Sequence, residues 1–538
     1  MKTIRYELQD GIATLTFDEP DSPVNTMCRQ WQDDLTEVTA QVLQDQAAIK
    51  GLVLASAKST FFAGADLKGV MRLKPSDAPA IFAEVELMKR NFRTLETLGK
   101  PIVTCLNGSA LGGGWEVALL GHHRIAIDDP KIKLGLPEVT LGLLPGASGV
   151  TKMTRHLGLL GAQPYLVEGK TFNPQTAHQL GLVHELVAPS ANAAAEMRAL
   201  ALAWIATHPT AQHPWEDKDY KIPGGTPANP KVAGMLAVAP AMLKQKTRGL
   251  YPAPEAILAC MVEGLQVDMP TALRLESRYL AKLMTGINAR AMINTFFNLN
   301  AVKNDPTFTL LSREKTGAYL NPLIAMGPEA TFVHRVFASF LAEGLAMLNE
   351  GIPAAAIENA GLQCGMPLGP LAALDEASLP LCQLALAKTH AAHPAELLLA
   401  RMVNEHQRPG RASGAGFYDY PTEAGAQRHL WPQLKPLFEK PESTWDIADL
   451  KDRLLYCQAI EAARCLSENV VSSVAKANVG SIFSIGYPAW TGGVLQFIYG
   501  MGLDAFFKRA DELAHRFGPG FAMNDTVKAV VVQHQPHC

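Results

Sequence analysis

The first part of the chain alternates between apolar and polar positions. Residues 4–17 form two such runs, IRYEL and IATLTF, parted by Asp10-Gly11. Period-two alternation around an Asp-Gly pair predicts a β-hairpin. The period then lengthens, and 27–46 reads as a helix. Gly51-Leu-Val-Leu-Ala55 is a short, bounded apolar run, as a strand buried on both faces would be. A second helix is predicted over 78–98. Pro101-Ile-Val-Thr-Cys-Leu106 is another buried strand, with Asn107-Gly108 and a glycine cluster after it. Strands alternating with helices predict an α/β domain over residues 1–190.

Beyond 190 the strand signals fade. Residues 193–208 read as a helix, and HPWEDKDYKIPGGTPANP that follows is a loop by composition. Residues 253–302 carry long amphipathic periods. A helical linker is therefore expected over 191–310, with a short connection of mixed turn signals at 311–330. Residues 331–538 read as helical with a faint internal repeat. EGLAMLNE (343–350) resembles EAARCLSE (461–468), and each is followed by Gly-x-Pro, at Gly365-Met-Pro367 and Gly486-Tyr-Pro488. The repeat predicts two helical domains, 331–425 and 440–538, with GRASGAGFYDYP (410–421) between the copies.

Composition narrows the class. The chain has 538 residues, too many for one core; 48% are hydrophobic and 18% charged, and the net charge is −3. That balance gives no reason to expect nucleic acid. No signal peptide and no run of about 18 consecutive apolar residues is read, so stable membrane insertion is not expected. Eight scattered cysteines without paired His spacing argue against a metal site or a disulfide framework. A cytoplasmic enzyme is the expectation.

Three segments could carry chemistry. In Leu111-Gly-Gly-Gly-Trp-Glu116, glycines after a strand let the backbone approach a ligand. A helix starting there aims unpaired amides beyond its end, where they suit a developing oxyanion. Glu116 follows Gly113 by three residues and shares its face, although its neighbours are apolar. Such a carboxylate must be paired, protonated or functional. Glu138, in Leu136-Pro-Glu138, reads on its own as an ordinary helix-start acid. In Phe61-Phe-Ala-Gly-Ala-Asp66, small residues could bring in another amide, or form a plain turn capped by Asp66.

Together FFAGADLKG, NGSALGGGWEVAL and LGLPEVTLGLLPGASG resemble the crotonase (enoyl-CoA hydratase/isomerase) family over about residues 1–190. The resemblance implies an α/β crotonase (ββα-spiral) domain, followed by the helical linker and all-α domains. It implies that Ala65 and Gly113 amides form the oxyanion hole, that Glu116 and Glu138 are the catalytic acid/base pair, and that Ala63 and Asp66 lie against CoA. FVHRVFASFLAEGLAMLNEG, GMPLGPLAALDEASL, GRASGAGFYDYP and VGSIFSIGYPAWTGG resemble the C-terminal part of 3-hydroxyacyl-CoA dehydrogenases. The combination resembles the α subunits of bacterial fatty-acid oxidation complexes. Such chains insert a Rossmann domain between the two parts. Here no Gly-x-Gly-x-x-Gly follows a strand, and 311–330 is too short for a nucleotide fold. No NAD binding and no dehydrogenase turnover are expected. His334 stands where that family offers an Asn to substrate, and Asn300 near where it places an acid. The expected activity is hydration of 2-enoyl-CoA in β-oxidation, with Δ3-Δ2 isomerisation also feasible. Two alternatives stay open: a scaffold that binds a thiolase subunit or a second copy of itself, and another crotonase-type acyl-CoA reaction.

Overall fold

In the computed structural model the hairpin is β1 (Ile4–Gln9) paired antiparallel with β2 (Ile12–Phe17), Gln9 facing Ile12. Asp10 (φ 55°) and Gly11 (φ 87°) make the two-residue turn. The structure describes residues 1–306, 308, 322–324, 330–389, 394–423, 425–441 and 443–536. The connection expected at 311–330 lies almost wholly outside them. The chain divides into two compact units, Met1–Arg290 and Ala291–Cys538.

In the first unit the hairpin edges a six-stranded sheet, in the order β1-β2-β3-β4-β6-β8. The further strands are β3 (Gly51–Ser56), β4 (Ile102–Leu106), β6 (His123–Ile127) and β8 (Glu185–Val187), all parallel from β2 onward. Burial on both faces is why β3 and β4 read as unbroken apolar runs: Leu52, Val53, Leu54, Ile102 and Val103 are at most 1% exposed. A second, two-stranded parallel sheet joins β5 (Ala110–Leu111) to β7 (Leu134–Gly135). These two-residue strands are too short for any sequence period. Their pairing places the glycine segment beside the segment that carries Glu138.

The helices of this unit are α1 (Arg29–Gln44), α2 (Leu67–Val70), α3 (Ala78–Glu96), α4 (Gly113–Ala118), α5 (Gly149–Leu166), α6 (Pro174–Gln179), α7 (Ala193–Thr207), α8 (Pro230–Leu236), α9 (Ala239–Thr247), α10 (Pro252–Gly264) and α11 (Met269–Met284). Ala193, Met197, Ala201 and Ile205 of α7 cover Val53, Val103 and Ile125 on one sheet face. Elsewhere an aromatic cluster of Phe17, Trp31, Phe62 and Phe92 packs edge to face. Residues 191–290, read from the sequence as part of a linker, pack within this unit: α10 and α11 lie against α5 and α3.

The second unit is helical around one continuous core. Its two longest helices, Ala330–Asn349 and Ile447–Ser467, begin the two copies of the repeat and pack on each other. The copies share a brace that the sequence did not reveal. Glu358 accepts hydrogen bonds from the amides of Leu371 (2.7 Å) and Ala372 (3.3 Å). Asn478 Oδ1 does the same for Leu495 and Gln496, at 3.0 Å each. Each side chain thus satisfies the open N-terminus of the helix after Gly-x-Pro. Ala330–Asn349 is long and apolar enough to cross a membrane by composition, a window the sequence reading did not single out, yet most of it is buried. Its His334 is half-buried. Its Arg335 donates to Glu461 at 2.7 Å.

Candidate active site

The first unit holds a cavity of about 290 Å³. Its walls are apolar, formed among others by Val70, Ile81, Val85, Leu143, Leu280 and Met284. Its polar lining includes Glu116, Glu138, Asp66 and the Ala65 and Gly113 backbone, so five of the six expected site residues meet in one place.

Glu116 projects from the first turn of α4 and is 2% exposed. Its Oε1 accepts the amides of Ala147 (2.7 Å) and Gly149 (2.6 Å), which leaves Oε2 to act in the cavity. Burial, and next the negative charge of Glu276, push the Glu116 carboxyl up to about 8. The Gly149 and Ala147 amides and the Lys89 ammonium pull the other way.

Glu138 is the second residue of a short 3₁₀ helix, Pro137–Leu141. The expected helix start is there, but the side chain does not act as a surface cap. Its Oε2 is enclosed and has no hydrogen-bond partner among the described residues. Burial and the neighbouring Glu116 charge raise this carboxyl well above the usual range. Two raised carboxyls on one cavity favour one ionised and one protonated member, which is what paired acid/base chemistry requires.

Gly113 opens α4 after Gly112, whose φ of 56° and ψ of −130° only glycine adopts readily. The amides of Gly113 and Ala65 donate to no acceptor among the described residues. Gly64, just before Ala65, lies close to the Gly113 amide: a Cβ there would stand 3.5 Å from its nitrogen. Both residues line the cavity.

Residues 7–216 match the enoyl-CoA hydratase/isomerase family, and 332–420 match the 3-hydroxyacyl-CoA dehydrogenase C-terminal domain. The chain carries an enoyl-CoA hydratase/isomerase domain. It is 23% identical to the fatty acid oxidation complex subunit alpha of Shewanella halifaxensis (strain HAW-EB4), over 95% of this chain and 96% of that protein. To the corresponding subunit of Shewanella baltica (strain OS185) it is 33% identical, over 55% of this chain and 41% of that one. Among solved structures it is similar to an enoyl-CoA hydratase from Bacillus halodurans, with 18% identity, a TM-score of 0.38, and coverage of 54% of this chain and 98% of that one. The first of these alignments spans 694 positions, more than the 538 residues present, so many positions of that relative have no counterpart here.

Within the hydratase/isomerase domain Asp66 caps α2, accepting the Lys68 amide at 3.0 Å, and lines the cavity. Ala63 is exposed, outside the cavity lining, with its amide given to the Asn25 carbonyl at 2.9 Å. Sequence reasoning missed Lys89 and Glu276. Glu276 is 0% exposed and pairs with Lys89 at 2.9 Å. Both stand on otherwise apolar helix faces, Glu276 among Ala272, Leu273 and Leu280, and Lys89 among Val85, Met88 and Phe92. A charge inside an apolar stripe was the signal available.

Proposed function

We propose that the chain hydrates trans-2-enoyl-CoA thioesters to 3-hydroxyacyl-CoA in fatty-acid β-oxidation. The observation that carries this is the pair of raised carboxyls at one cavity with two open amides. The amides of Ala65 and Gly113 receive the thioester carbonyl and stabilise the enolate oxygen as charge builds there. Ionised Glu116 takes a proton from water as the oxygen bonds to the β-carbon. Protonated Glu138 delivers a proton to the α-carbon. The pair ends with its proton on the other member, and a single transfer resets it. The apolar walls receive the acyl chain, and Ala63 and Asp66 belong to the loop beside CoA. Isomerisation of Δ3 to Δ2 would use the same carboxyls, one of them shuttling the proton.

The pH dependence follows from the raised carboxyls. The base must be ionised, so kcat/KM rises with pH through about 8 as Glu116 loses its proton. It falls again at higher pH as Glu138 ionises. Loss of the conjugated-thioester absorbance of crotonyl-CoA, followed across pH, reads both limbs. A flat profile from mildly acidic to alkaline pH would exclude this assignment.

The reading includes no NAD-dependent turnover. Support comes from the many positions of the Shewanella halifaxensis relative that find no counterpart here, and from the absence of a phosphate-binding glycine motif in the sequence. Titration with NADH, followed by its fluorescence, is expected to show no saturable binding; a saturable signal would overturn that part. That the relatives are subunits of a complex supports assembly with another chain; a thiolase-type partner or self-association, and a cytoplasmic location, belong to this reading.

A further inference from the structure

The loop that holds Glu116 is held from its other side. Amides along 147–151 turn alternately to two carboxylates. Ala147 and Gly149 donate to Glu116. Ser148 (2.7 Å) and Thr151 (2.9 Å) donate to Glu276, and Thr151 Oγ1 adds a third bond at 2.8 Å. Ser148, in the middle of this alternation, has a φ of 102°, which non-glycine residues rarely adopt. Glu276 comes from α11, beyond the matched 7–216 stretch. Lys89 fixes it from α3 and is itself anchored to the Leu273 carbonyl (2.7 Å) and Ser277 Oγ (3.0 Å). Stability alone is a weak reason for this arrangement, since a well-packed apolar pair often replaces a buried ion pair without loss.

We propose that Glu276, paired with Lys89, is a positioning residue for Glu116: it pins the 147–151 loop so that the catalytic carboxylate keeps its aim into the cavity. The inference rests on the hydratase reading for its consequence, not for its geometry. The charges facing Glu116 are Glu138 from its 3₁₀ turn, Glu276 from α11, Lys89 from α3 and Lys152 from α5. Of these, Glu276 exerts the largest influence on Glu116 and disfavours its ionised form.

The test is Glu276→Gln in the full chain, assayed for crotonyl-CoA hydration across pH. An amide group cannot accept all three bonds, so the loop shifts. The expected result is a kcat lower by roughly 10- to 100-fold with KM nearly unchanged. The rising pH limb moves to lower pH, because a like charge beside Glu116 is gone. Glu276→Asp keeps the charge without the reach: kcat falls and the limb stays. A folded Glu276→Gln protein with wild-type kcat and limb overturns the proposal. If an uncompensated Lys89 prevents folding, the double variant Lys89→Met/Glu276→Gln removes both charges. A lowered kcat there sustains the proposal and a normal one overturns it. If the wild-type protein hydrates nothing, the hydratase reading fails separately. The ¹³C carboxyl titration of Glu116, identified by its loss in Glu116→Gln, then decides: a lower midpoint in Glu276→Gln sustains the coupling, and an unchanged one overturns it.

Discussion

Glu116→Gln is expected to lower kcat for enoyl-CoA hydration by roughly 10²- to 10⁴-fold, the usual worth of a positioned general base. KM changes little, because glutamine keeps an oxygen for the Ala147 and Gly149 amides. The same variant should be more stable than the wild type in alkali. A carboxyl raised by the folded state favours folding while protonated. That contribution is full below the ordinary carboxylate range and is lost as pH rises through about 8. Glutamine does not titrate, so the gap in melting temperature between variant and wild type should widen from pH 5 to pH 9. Activity within a factor of a few of wild type would remove Glu116 from the mechanism.

Gly112→Ala is expected to cost both activity and stability without replacing either cavity carboxylate. The added Cβ would stand 2.7 Å from Glu138 Oε1, on a backbone with φ of 56°. Gly112 also accepts the Trp115 and Glu116 amides and donates to the Gly135 carbonyl at 2.8 Å, which ties the Glu116 and Glu138 segments together. Relaxing the turn moves the Gly113 amide, α4 and Glu138 at once. A misplacement of this kind costs about 10²-fold in kcat. The backbone strain adds about 1–3 kcal/mol of destabilisation, read as a lower melting temperature. Gly234→Ala, in α8 with nothing near its Cβ and no positive φ, is the control: its kcat should match wild type and its melting temperature should be equal or slightly higher, since Ala in a helix is worth about 0.5–1 kcal/mol over Gly. Wild-type kcat for Gly112→Ala would show that the turn does not set the Glu138 geometry.

Much of this was readable because the determinants are local. The hairpin announces itself in alternation and Asp10-Gly11, and β3 and β4 in unbroken apolar runs. Glu116 stood out as an acid among Trp115, Val117 and Leu119 beside three glycines. Glu138 did not stand out, because Pro-Glu at a turn is common and only the β5-β7 pairing brings it to the cavity. The Glu276 bond to Ser148 spans 128 positions, and no period encodes such a partner. The misfit charges were visible nonetheless. A periodicity that asks only which positions are apolar passes over Lys89 and Glu276, which occupy the right phase with the wrong chemistry. The Gly-x-Pro repeat was visible too, but its brace uses Glu358 in one copy and Asn478 in the other, so the shared role is hidden by different residues.

Gly146 lies against Leu280 of α11 so closely that a Cβ would come within 2.1 Å of Leu280 Cδ2. Together with the Glu276 bonds, this stitches residues 146–151 to a helix more than a hundred residues downstream. Gene dissection that follows sequence similarity, cutting after residue 216, would keep both cavity carboxylates and discard the surface on which the 146–151 loop was shaped. The smallest portable catalyst in this chain is therefore defined by where its hydrogen bonds end, and that point lies past α11.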